Sequence, residues 1–113
     1  MSSWVKYHFT HLRRWREYAE KVSKAVRDLI PDAKVYVIGG VAEGRTTIYS
    51  DIDILIVIKN TNSATRRKLL IDILERAIDT YGLPWDAPVE LHIVGEERAR
   101  EYLKYSRNFI RIL

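Results

Sequence analysis

Residues 52–58, Ile-Asp-Ile-Leu-Ile-Val-Ile, limit the possible folds more than any other segment. From Ile54 to Ile58 every residue is apolar, so neither face of a strand built from them can be left to water. Such a strand belongs in the middle of a covered sheet, and the rest of the chain must supply its neighbours and its cover. Lys34–Ile38 is β-branched and aromatic and breaks at Gly39-Gly40, which predicts a second strand ending in a tight turn. Val89–Val94 alternates apolar with polar, as a half-buried third strand does, and stops at Gly95.

The cover is helical. Leu12, Trp15, Ala19, Val22, Val26 and Leu29 recur at steps of three and four, which predicts one long amphipathic helix from Ser3 to Ile30, stopped by Pro31-Asp32. Leu69, Leu70, Ile73, Leu74, Ala77, Ile78 and Tyr81 predict another, opened by the cap residues at 60–63 and closed by Gly82 and Pro84. Glu96 to Tyr105 reads as a charged helix, residues 41–51 as a loop with room for a helical turn, and Phe109–Leu113 as an apolar tail of undefined form. At 113 residues there is enough chain for one core and not for two. Residues 1–113 are therefore expected to form a single layered α/β (α+β) domain. It would have a small mixed sheet, helices packed mainly on one face, and carboxylates at the open rim of the other.

Those carboxylates are the chemically informative feature. Asp51 and Asp53 alternate along one strand, so they point to the same side with Cα atoms about 6.5 Å apart, and two flexible side chains at that separation can reach a shared ion. Glu90 faces away from Val89, Leu91 and Ile93; if its strand lies beside Ile52–Ile58, three acids converge. Without cations such a cluster repels itself. Two divalent ions between carboxylates are the usual apparatus for in-line phosphoryl displacement, and Mg2+, which prefers oxygen ligands and completes its shell with substrate phosphates, suits Asp51, Asp53 and Glu90 as ligands. Gly39 and Gly40 leave space for close phosphate approach and present backbone N–H groups to it, while Arg45 and Thr46 in the following loop are further candidate phosphate contacts.

Gly39-Gly40, ten intervening residues and Asp51-Ile52-Asp53 ahead of an apolar strand resemble the signature of the DNA polymerase β-like nucleotidyltransferase superfamily. The length points to its minimal members. The resemblance implies a polymerase β-like fold, two Mg2+ ions on Asp51 and Asp53, Glu90 as the third acid and an aid to the attacking hydroxyl, and Gly39 and Gly40 as the triphosphate cradle. It also implies transfer of a nucleoside monophosphate, AMP from ATP foremost, to a hydroxyl on a partner. Several such small transferases pair with an all-helical HEPN-domain protein, an RNase toxin that the transferase modifies as an antitoxin. One departure stands out: the family usually has serine after the first glycine and often arginine next, where this chain has Gly40 and Val41, with Arg45 as a substitute contact. A degenerate module that only holds a nucleotide or a HEPN partner is the competing reading.

Other features carry less. The absence of cysteine removes disulfides, thiolate nucleophiles and sulfur-ligated zinc, and it fits a reducing compartment. No apolar run reaches signal-peptide or membrane-span length, which leads to the expectation of a cytoplasmic protein away from membranes. The net charge of +4, from 19 basic and 15 acidic residues, permits an anionic partner without identifying nucleic acid. Arg13, Arg14, Arg16, Arg66, Arg67 and Lys68 are read first as solvated faces, with an RNA groove as the lesser alternative. His92 shares the face of Glu90 and either flanks the metals or, the preferred reading, is a surface or partly packed histidine, as are His8 and His11. Trp15 is expected in the core, while Trp4 and Trp85 are candidate base-stacking or oligomer contacts.

Overall fold

The structure is a computed structural model that describes residues 3–44, 51–59, 62–106 and 108–113. Among the described residues nine elements follow one another: α1 (Ser3–Arg13), α2 (Trp15–Leu29), β1 (Lys34–Ile38), α3 (Gly39–Ala42), β2 (Ile52–Ile58), α4 (Ser63–Asp79), β3 (Val89–Gly95), α5 (Glu96–Tyr105) and β4 (Ile110–Arg111). The strands form one mixed sheet in the order β3-β2-β1-β4. β2 pairs antiparallel with β1 and parallel with β3, and β1 pairs antiparallel with β4.

β2 is central, as its two apolar faces require. Ile52, Ile54, Ile56 and Ile58 enter the main core with Val35, Val37 and Ile93, beneath Tyr18, Val22 and Val26 of α2 and Ile73 and Ala77 of α4. Fully burying an aliphatic side chain of this size contributes about 1.5–3 kcal/mol, so this layer dominates the hydrophobic stabilisation. Leu55 and Val57 point the other way, into a smaller cluster with Tyr36, Ile38, Val94 and Ala99, on which Tyr102 and Leu103 of α5 pack. The helices thus lie mainly on one face, and α5 covers part of the other.

Local signals set the element ends. The Asn62 side chain accepts from Thr65 N–H at 2.9 Å and caps α4, and Gly82, at φ +75°, turns the chain after that helix.

The expected single helix over Ser3–Ile30 is two helices broken at Arg14, whose φ and ψ are −91° and 18°. Arg14 N–H bonds back to the His11 carbonyl at 3.0 Å, and its guanidinium is held by Glu17 at 2.9 Å. The break sets α1 against α2 and the Pro84–Asp86 turn: His11 Nδ1 lies 2.6 Å from the buried Tyr18 hydroxyl, and Tyr7 OH donates to Asp86 Oδ2 at 2.6 Å. His11, expected at the surface or partly packed, is buried. Hydrophobic spacing continues through Arg14 and so hides a break made by polar contacts. The apolar tail also acquires a form: Ile110–Arg111 pair with β1, and Ile112 N–H donates to the Val35 carbonyl at 2.8 Å. Trp15 is partly buried against the core, and Trp4 and Trp85 are exposed. Among the described residues, no helix is long and apolar enough to cross a membrane.

Candidate active site

The registers of three strands converge on one residue. Asp53 in β2 lies opposite Ile38, the last residue of β1, and opposite Glu90 in β3. Residues opposite one another on paired strands share a face, so Asp53 and Glu90 stand side by side on the α5 face of the sheet, beyond the point where Leu55 and Val57 are covered. His92, two residues past Glu90, falls on that face as well.

The donor atoms of Asp53, Glu90 and His92 all lie within 4.8 Å of one another. His92 Nε2 is 3.3 Å from Asp53 Oδ1, both side chains about one quarter exposed. The Asp53 hydrogen bond holds the imidazolium form of His92 above the usual histidine range, helped by the nearby Glu90 charge and opposed by burial. Glu90 is exposed, so its carboxylate is open to an incoming group.

Gly39 closes the other side. It sits at φ +74° where β1 passes into α3, and a Cβ built on it would lie 2.5 Å from Asp53 Oδ2. Only glycine combines that backbone conformation with the space the carboxylate needs. Gly40 follows within α3. The donor set thus consists of two carboxylates and one imidazole at an open rim, next to a turn without side chains. It fits a divalent cation, and the glycine turn leaves room for an anionic ligand beside it.

Asp51 is exposed and immediately precedes β2, one strand repeat from Asp53; it stands outside the tight Asp53, Glu90 and His92 group. Arg45 and Thr46, the two loop candidates for phosphate contact, lie outside the described residues. Two residues at this cluster were undervalued by sequence reasoning. His92 was legible as a companion of Glu90 from the alternation of β3. Tyr102 gave no signal, because its ring reaches 5.9 Å from the His92 ring only once α5 folds over the sheet. Beside them, along the β3 edge, runs an open cleft of about 620 Å³ lined by Arg66, His92, Gly95, Arg98, Glu101 and Tyr102.

Comparison with known proteins assigns the chain to a class. The profile of the nucleotidyltransferase domain family matches residues 19–109, a span that holds Gly39, Asp53, Glu90 and His92. The chain belongs to that family and is a nucleotidyltransferase. Its fold matches the crystal structure of a candidate nucleotidyltransferase from Sulfolobus solfataricus with a TM-score of 0.65, covering 92% of this chain and 84% of that one at 19% identity. No curated protein matches it in sequence.

Proposed function

We propose that this nucleotidyltransferase moves AMP from ATP to a hydroxyl group on a partner macromolecule, with Mg2+ as the supporting cation and Asp51, Asp53 and Glu90 as the acidic residues of the reaction. The observation that carries this reading is the placement of Asp53 and Glu90 at one register position of adjacent parallel strands, against Gly39. Divalent cations held there would neutralise the triphosphate and stabilise charge on the attacking and leaving oxygens. Gly39 and Gly40 leave space for the phosphates, with Arg45 and Thr46 as loop contacts. Glu90, exposed at the rim, takes the proton of the acceptor hydroxyl as its oxygen bonds to the α-phosphorus. The bond between the α- and β-phosphates breaks and pyrophosphate leaves. A HEPN-domain toxin is the acceptor suggested by the resemblance noted above, and it would make the chain an antitoxin in a cytoplasmic pair.

Calorimetric titration of ATP tests the reading, with Mg2+ and then with EDTA. The expected result is affinity that needs the cation and is lost in Asp53→Asn. Transfer of label from the α-phosphate of ATP should fall at least about 100-fold in Asp51→Asn or Asp53→Asn, since each removes a charge worth several kcal/mol to the transition state. Nucleotide affinity indifferent to Mg2+ and to both substitutions would overturn it, and an absence of nucleotide affinity with the partner present would leave the degenerate module in its place.

A further inference from the structure

The imidazole among the carboxylates changes which ion the site prefers. We propose that Asp53, Glu90 and His92 together form a mixed nitrogen and oxygen site for a divalent transition metal of the Mn2+, Co2+ or Zn2+ kind, while Asp51 serves a second position whose ligands are all oxygen. The inference rests on the reading of Asp53 and Glu90 as cation ligands in nucleotidyl transfer and adds to it the identity of one ion.

Three observations support it. Within a donor set that spans no more than 4.8 Å, the hydrogen-bonded distance from His92 Nε2 to Asp53 Oδ1 is 3.3 Å. It equals the donor-to-donor distance, roughly 3.3 Å, across one tetrahedrally bound ion with bonds of about 2.0–2.1 Å. All three donors come from strands: Asp53 and Glu90 stand in register and His92 follows at the same-face position, so the set is fixed by backbone pairing rather than by a loop. Finally, each of the two ligands has a close neighbour, the Tyr102 ring 5.9 Å from the His92 ring and the bare Cα of Gly39 against Asp53, while the exposed Glu90 keeps the rim open to substrate.

The chemistry of the donors then selects the metal. Mg2+ takes oxygen ligands and keeps its waters, whereas an imidazole nitrogen raises affinity along the series from Mn2+ to Co2+ and Zn2+. Two carboxylates balance the charge of one such ion with the imidazole neutral. Asp51, exposed ahead of β2, is not one of the three clustered donors, and with substrate phosphates it makes a position suited to Mg2+.

Co2+ added to the metal-stripped full chain, without nucleotide, is the probe. Wild type should show a visible d–d absorption band and a strongly shifted, exchangeable imidazole N–H proton signal. His92→Ala and His92→Gln should both lose that signal. Their Co2+ affinity should fall at least about 100-fold, beyond what the loss of an outer-shell partner costs, with Mg2+ affinity little changed. His92 is a quarter exposed, so circular dichroism should show both variants folded. Co2+ affinity and spectra unaltered by loss of His92 would overturn the proposal and leave a plain His92–Asp53 ion pair. So would the absence of Co2+ binding to wild type. Mg2+-dependent ATP binding, measured on the same preparations with Asp51→Asn, reports on the transfer reaction separately: its absence beside an intact Co2+ signal would sink that reading and keep the metal site.

Discussion

Gly39 and Asp53 have to be understood as a pair. The glycine supplies a left-handed backbone that an L side chain adopts at a cost of about 1–2 kcal/mol, and the vacancy at its Cα is filled by the Asp53 carboxylate. Gly39→Ala should therefore destabilise the fold by about 1–2 kcal/mol in urea titration, through the backbone. The new methyl would also push Asp53 Oδ2 off its position, so cation affinity should drop by more than the lost stability accounts for; calorimetry on the folded variant separates the two. At this scale the sequence was informative about Gly39, Asp53 and Glu90, because alternation along strands places side chains without reference to anything distant. It was less so for His92: a lone histidine on a half-buried strand is usually packing, and its 3.3 Å approach to Asp53 arises only once β2 and β3 pair. Asp51 is one repeat from Asp53 in sequence, yet its exposure ahead of β2 gives it a wetter setting.

Among the elements, strands and their partners were more legible than helix continuity. The central place of β2, the half-buried face of β3 and the extent of α4 all follow from apolar spacing. The break at Arg14 and the pairing of Ile110–Arg111 do not, since both depend on groups far along the chain: Asp86 for α1 and Val35 for the tail. A second link of that kind joins α2 to α4, where Asp28 accepts from Arg76 Nε at 2.7 Å and from the Tyr81 hydroxyl. The Tyr81 hydrogen bond first, then Arg76, holds the Asp28 carboxyl below its usual range. A carboxylate whose folded pKa is lowered contributes stability that is present above its unfolded pKa and is lost as the pH falls through the folded one. Urea midpoints taken from pH 7 down to pH 3 should accordingly fall more steeply in wild type than in Asp28→Asn. The variant should be the less stable of the two at neutral pH, with the gap closing in acid. A constant difference across that range would mean that Asp28 acts only through packing.

For the whole molecule, topology brings the site together. β1 ends, and β2 and β3 begin, at one rim of the sheet, so residues 38–40, 51–53 and 90–92 meet there although Ile38 and His92 stand 54 positions apart in the chain. No fragment that lacks one of these strands retains the arrangement. Because an unfolded chain offers no such cluster, an ion or nucleotide bound there acts as ballast on the folded side of the equilibrium. At a concentration 100 times its dissociation constant a ligand adds about 2.7 kcal/mol, which for a domain of this size raises the melting temperature on the order of 10 °C. A melting curve then becomes an assay that needs no acceptor. Transition metals should raise the midpoint of wild type and not of a chain missing Asp53, Mg2+ with ATP should add a further increment that depends on Asp51, and chelator should return it to the metal-free value. The same coupling ties resistance to unfolding to the ligands: where cation and nucleotide are plentiful the open rim is the clamp on the fold, and where they are scarce that clamp is released.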